Sequence, residues 1–260
     1  MSQRRADGSA GDADYGAIGG VYTDYRTPDP RIGQYILDAL GDARTVLNVG
    51  AGAGSYEPLE RHVLAIEPAA AMRAQRPAHL TPAVDGVAER LPVDDQSFDA
   101  AMALVTVHQW PDVAKGLAEL RRVTRGPIVL LTFDGDALDR WWMADYAPDM
   151  LAVERRRFPG IASLVEGLGG ACEVRAIPIP NDCVDGFSEA FYARPEAFLD
   201  PAVRRSQSAW SFVPGDVQAR FVQRLGADLA SGEWDRRHGA WRAKPFFEGS
   251  LHNIISRPPH

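Results

Sequence analysis

Hydrophobic positions along this chain fall into short apolar runs separated by turns and amphipathic stretches. The runs at 45–49, 62–66, 98–107 and 128–133 have strand length and are apolar on both alternating faces, the pattern of strands buried on both sides. After Pro28-Asp29-Pro30, residues Ile32, Tyr35, Ile36 and Leu40 recur at helical spacing until Gly41 stops them. A short helix is expected at 69–76 and a short strand near 83–86. Val113, Leu117, Leu120 and Arg121 then mark one face of a helix over 113–123. Further strands follow at 172–180 and 250–255. Strands alternating with helices at these lengths predict an α/β chain with a doubly wound, seven-stranded, mostly parallel sheet. The crossover at 55–61 is close to the minimum for a parallel connection, and Pro58 shortens its helix further.

The second half is patterned differently. Residues 136–170 read as helical and carry Trp141, Trp142 and Tyr146. Residues 187–247 read as mostly helical and aromatic-rich, an insertion before the last strand that predicts a lid over the carboxyl edge of the sheet. The expected organisation is therefore a small, polar, disordered tail (1–14), an N-terminal segment (15–41), a sheet core (42–186 with 248–260) and the lid (187–247).

The strongest local signal is the first strand running into Gly50, Gly52 and Gly54. Seventeen residues after Gly50 the second strand ends in an acid, Glu67. Glycines allow a close backbone approach to a ligand, and an acid at this place holds ribose hydroxyls. A nucleoside pocket is expected. A dinucleotide fold uses G-x-G-x-x-G, whereas this loop is G-x-G-x-G followed by Ser55. On the loop alone, a nicotinamide cofactor stays open.

Charge narrows the partners. The net charge of −7 argues against a general nucleic-acid binder. The run Arg155-Arg156-Arg157 reads as a solvated helix face. Cys172 and Cys183 have neither metal-ligand spacing nor a disulfide framework, so no metal is expected and a reducing cytoplasm is the expected location. No apolar run approaches membrane-spanning length, and Arg4-Arg5 lacks the apolar segment of an export signal.

Four segments occur in order: Val46–Gly54, Ile66-Glu67-Pro68, Gly86–Pro92 with Ser97-Phe98-Asp99, and Leu104–Asp112. In this arrangement the chain resembles the class I S-adenosylmethionine-dependent methyltransferases, specifically the small-molecule branch (types 11 and 25), over about residues 20–135. The resemblance implies S-adenosylmethionine as cofactor and S-adenosylhomocysteine as product. It implies a methionine cradle at Asn48, Gly50, Ala51 and Gly52, and ribose binding at Glu67 beside Pro68. It also implies an adenine slot at Val87, Ala88 and Glu89, and an adenosyl wall at Leu104 and Val105. Tyr25 and Arg26 would belong to an N-terminal segment folded over the cofactor, with Arg26 on the methionine carboxylate. Two positions depart from the family pattern: Asn48 stands where an aspartate is common, and Val87 where an acid often meets the adenine amino group.

Methyl transfer to a phenol or amine needs alignment and one base. His108, at the exit of the fourth expected strand, is the candidate base; its structural alternative is a ring that packs on adenine or holds a loop. Tyr22 and Asp182 are further catalytic candidates, and Asp134 a second possible base or cation binder. Tyr15, Trp141, Trp142, Tyr146, Phe187, Phe191 and Tyr192 are the candidate substrate walls, with lid core as their alternative. An aromatic pocket suits a flat or apolar acceptor. The expected activity is methyl transfer to O, N or C of a small molecule, with specialised metabolism as a setting. The alternatives are a protein of the same fold that uses the cofactor for cyclisation, and a non-catalytic ligand-binding module.

Overall fold

The computed structural model describes Gly11 and residues 25–258. Tyr15, Tyr22 and, Gly11 apart, the tail expected over 1–14 lie outside the described residues.

Helix α1 (Pro30–Leu40) begins where Asp29 caps it: the Asp29 side chain accepts from the Arg31 amide, and Pro30 supplies the preset first turn. Ile32, Ile36, Ala39 and Leu40 form its buried face, and Gly41 ends it at φ 55°. Strands β1 (Thr45–Val49), β2 (His62–Ile66), β3 (Ala100–Leu104) and β4 (Ile128–Phe133) follow in parallel. Helices α2 (Ala70–Ala74) and α3 (Val113–Val123) lie after β2 and β3. Beyond β4 come α4 (Met143–Tyr146), α5 (Pro148–Arg157), α6 (Ile161–Leu168) and β5 (Ala171–Ala176). A small ribbon pairs β6 (Ile179–Pro180) with β7 (Phe246–Phe247), and the stretch between them carries α7 (Pro201–Arg205), α8 (Gly215–Ser231) and α9 (Glu233–His238). Strand β8 (Leu251–Arg257) runs antiparallel between β4 and β5. The sheet order is β2-β1-β3-β4-β8-β5.

Alternate residues of these strands enter two separate cores, as a pleat with both faces covered requires. Val46, Met102, Val129 and Leu131 pack against α1 and the whole aromatic insertion. Leu47, Ala101, Ala103 and Leu130 pack against α3 and α6 through Leu117, Leu120, Leu164 and Leu168.

The sheet has six strands among the described residues, where seven were expected. The strand expected at 83–86 is reduced to one parallel bridge, Ile66 to Val84, held by hydrogen bonds from the Glu67 amide to the Val84 carbonyl and from the Val84 amide to the Ala65 carbonyl. Pro82 and Gly86 bracket it and leave almost nothing to pair. The strand expected over 98–107 ends at Leu104, because Val105 turns to φ 52° and a tight 3-10 turn follows over Val107–Gln109. The strand expected over 172–180 is cut by Pro178 into β5 and β6. The 55–61 crossover holds turns and no helix. The first part of the insertion is built of 3-10 turns at Ser188–Phe191, Pro195–Leu199 and Ser208–Phe212.

Candidate functional site

Register brings the sequence signals together. Val49 pairs with Ile66, so β1 and β2 end side by side. The glycine turn and Glu67 therefore leave the same edge of the sheet. Gly50 and Gly52 adopt φ 69° and 53°, a region open to glycine at little cost. A Cβ on Gly50 would also overlap the Thr106 hydroxyl. Glu67 is buried, and its two oxygens each accept a backbone N–H, one from Gly52 and one from Ala69, both at 2.8 Å. Burial pushes its pKa up, against the pull of these two hydrogen bonds and of Arg73 and Arg76. Each oxygen keeps a second lone pair for a ligand hydroxyl.

Asn48 lies beneath this turn. Its amide donates to Glu57 Oε1 at 2.9 Å, and Glu57 pairs with Arg76 at 2.8 Å. All three are buried. The acid that Asn48 lacks is thus supplied nine residues later by Glu57.

A cavity opens over the turn. Arg26, Asn48, Gly50, Ala51, Gly52, Glu67, Pro68, Val87, Ala88, Glu89, Leu104 and Val105 all line it. Sequence reasoning missed Tyr56, Met72, Thr106, Gln109 and Trp110 in the same lining. Trp110 had a signal: it packs over Gly116, where a Cβ would stand 2.5 Å from its ring. Tyr25 does not line this cavity; its hydroxyl reaches toward Asp200 on the outside, and its carbonyl accepts from the Gly186 amide.

A second cavity adjoins the first. Arg26 and Val105 line both. Its other walls are His108, Phe133, Leu138, Phe158 and Phe187, with Glu154, Ser188, Glu189, Gln207 and Ser208 as its polar groups. The rings form a chain: His108 lies 4.3 Å from Phe158, which stands edge-on to Phe133 at 5.3 Å, and Phe133 tilts against Phe187 at 5.5 Å. Such contacts fix ring orientation. Arg26 is held by Asp185 at 2.6 Å, and the Tyr56 hydroxyl donates to the other Asp185 oxygen at 2.8 Å. Val105, a β-branched residue at positive φ, stands at the junction. A residue of that kind is strained there, and strain of that sort concentrates at functional sites.

Two acids in this wall, Glu189 buried and Glu154 half-buried, had no sequence signal. Burial pushes the Glu154 and Glu189 carboxyls up to about 7. Glu189 is held by the Ser250 amide, which donates to both of its oxygens at 3.0 Å.

Several expected substrate walls are elsewhere. Trp141, Trp142, Tyr146, Phe191 and Tyr192 line neither cavity and are buried in the core of the insertion. Trp142 stands edge-on to Trp234 and Phe198, and its N–H donates to the Tyr192 carbonyl. Tyr146 donates to Asp228 and Tyr192 to the Lys244 carbonyl. These are satisfied core aromatics. Phe187 alone of the described candidates faces a cavity. Asp182 is exposed and paired with Arg31 at 2.7 Å, away from both cavities. Asp134 caps the turn after β4 by accepting from the Asp136 amide. Of the arginine run, Arg155 pairs with Asp139, while Arg157 turns inward to Ser208 and over Phe212. Cys172 and Cys183 are unpaired thiols. Among the described residues no group of His, Cys, Asp and Glu is set to hold a metal ion, and no helix is long and apolar enough to cross a membrane.

Comparison with known proteins agrees with this geometry. A methyltransferase-domain family matches residues 47–127. An uncharacterised methyltransferase of Mycobacterium bovis is 36% identical over 120 residues, 43% of this chain and 47% of the relative. The match thus spans about half of that relative's length. Among solved structures, a protein of Anabaena variabilis named as a methyltransferase from an antibiotic biosynthesis pathway is 29% identical and superposes with a TM-score of 0.83, covering 89% of this chain and 98% of its own. The 4+2 cyclase SpnF shares the fold at 14% identity and a TM-score of 0.54, covering 94% of this chain and 93% of its own.

Proposed function

We propose, for a chain that belongs to the class I S-adenosylmethionine-dependent methyltransferases, that it moves a methyl group to O, N or C of a small aromatic or apolar metabolite. The observation that carries this reading is the shared wall. A cavity with the cofactor-type glycine turn and ribose acid meets an aromatic-walled cavity at Arg26 and Val105. Two reactants held on either side of one junction need little further motion to align.

The residues present fit the cofactor. The backbone of Gly50, Ala51 and Gly52 can approach a zwitterionic methionine end closely. Glu67 presents acceptors to two ribose hydroxyls, a charge-assisted contact that a neutral residue would weaken. Val87, Ala88 and Trp110 offer apolar contact to a flat base. When bound, S-adenosylmethionine supplies a methyl carbon made electrophilic by its sulfonium. Phe133, Phe158 and Phe187 keep water from the acceptor side. His108, on the same wall, is the base that takes the acceptor's proton. Specialised metabolism is the setting supported by the name of the Anabaena relative.

The test is to incubate the purified protein with methyl-labelled S-adenosylmethionine and a small-molecule extract. S-adenosylhomocysteine and a labelled product should form in equal amounts. A transformed acceptor without S-adenosylhomocysteine would instead favour cyclisation on this fold. Tight cofactor binding with no conversion of any extract would favour a non-catalytic module. Full turnover by His108→Ala at saturating acceptor would remove His108 as the base.

A further inference from the structure

The second cavity has a polar bias of its own. Apart from Arg26, which Asp185 holds, and His108, its hydrogen-bonding groups present mainly oxygens. The Ser188 hydroxyl already spends its hydrogen on Gln207, and the Gln207 oxygen also takes the Trp210 N–H. The Ser208 hydroxyl oxygen receives Arg157. Glu189 is occupied by Ser250. Glu154 differs from all of these: it stands on α5 one turn before Phe158, lines the cavity, and receives no hydrogen bond from any described residue. Glu154 is half-buried, and a carboxyl that faces an aromatic cavity without a donor is costly until a ligand brings one. The remaining wall is rings, Leu138 and Val105. A ligand that satisfies both halves joins an apolar or aromatic body to a hydrogen-bond donor, ideally a cationic one.

Resting on the reading of the chain as a small-molecule methyltransferase, we propose that its acceptor is an apolar or aryl amine, seated on Phe133, Phe158 and Phe187 and held through its N–H by Glu154. Glu154 is then the residue that selects the acceptor. The two arginines nearest its charge, Arg26 and Arg157, favour its ionised form against burial. A bound ammonium adds a third positive charge and completes that change. Methyl transfer needs the nitrogen lone pair, so the ammonium first yields a proton to His108. The nitrogen–carbon bond then forms as the carbon–sulfur bond of the cofactor breaks.

The experiment reads binding rather than turnover. Wild-type protein saturated with S-adenosylhomocysteine is titrated calorimetrically with benzylamine, phenethylamine and tryptamine, each beside the alcohol of the same carbon skeleton. For at least one pair the amine should bind about tenfold or more tightly than the alcohol, the size of one charge-assisted hydrogen bond. Glu154→Gln should abolish that preference and leave S-adenosylhomocysteine affinity unchanged, which also shows that the variant is folded. No amine preference in any pair, or a preference that survives Glu154→Gln, overturns the proposal. If Glu154→Gln does not fold, the wild-type amine–alcohol comparison decides alone. Failure of the wild-type protein to bind S-adenosylhomocysteine at all would instead overturn the methyltransferase reading on which the proposal rests.

Discussion

The Asn48 amide donates to the Glu57 carboxylate at 2.9 Å in the floor of the glycine turn. The direction of that bond matters. A carboxylate at position 48 would face Glu57 as a like charge, while Asn48 lets Glu57 keep Arg76 as its buried partner. Asn48→Asp should therefore destabilise the fold, by about 2 kcal/mol or more. Adding Glu57→Gln to that variant restores a donor opposite the new acid and should recover most of the loss. A double-mutant cycle by urea unfolding reads the coupling, and strictly additive losses would contradict it.

Glu67 holds two backbone amides, and on the proposed function it also takes two ribose hydroxyls. In Glu67→Gln one of the oxygens becomes an NH₂ group pointed at a backbone N–H. We expect a stability loss of about 1–3 kcal/mol. S-adenosylhomocysteine affinity should fall by about tenfold or more. Calorimetric titration checks the second figure, and an unchanged affinity would remove Glu67 from the ribose.

Arg26 and Asp185 form a mostly buried pair with the Tyr56 hydroxyl on the same carboxylate. Arg26→Ala strands Asp185 and should cost about 3 kcal/mol. The double variant Arg26→Ala with Asp185→Asn should regain most of that stability. It should not regain cofactor affinity, because Arg26 itself lines the cavity. Recovery of both would make Arg26 purely structural.

Stability should fall as pH rises from about 4.5 to about 7. Glu189 is 2% exposed, and burial, with the nearby Glu154 charge adding to it, raises its pKa from 4.5 to about 7. The unfolded chain gives up this proton near 4.5 while the folded chain keeps it until about 7. The contribution is therefore fully present below 4.5, is lost through about 7, and is absent above. Its size is up to about 3 kcal/mol. Urea midpoints measured from about pH 4 to about pH 8 should show wild type losing more than Glu189→Gln. Taking the difference cancels His238, whose lowered pKa acts with the opposite sign.

The legible and illegible parts of this molecule divide by length scale. Gly50, Gly52 and Glu67 were readable because each acts through its own backbone position and the local end of a strand. The walls at Val87–Glu89 and Leu104–Val105 follow from the ordered segments. Glu154 was hidden because an acid ahead of Arg155-Arg156-Arg157 looks like part of a solvated helix face, and only the packing of α5 turns it to the wall of the second cavity. Trp141, Trp142, Tyr146 and Tyr192 misled for the opposite reason: aromatic density marks lid core as readily as pocket wall. The expected strand at 83–86 failed because Pro82 and Gly86 outweigh two apolar residues, Ala83 and Val84.

The two cavities draw on different parts of the chain. Apart from Gly11 and Arg26, every lining residue of the first falls within 48–111, whereas beyond Arg26, Val105 and His108 the second is built from β4 onward. On the proposed function, acceptor choice and cofactor grip draw on separate sets of residues. A library randomised at Phe133, Leu138, Phe158 and Phe187 changes no residue that lines the first cavity. On that reading, new acceptors can be sought there while the lining of the cofactor side is kept.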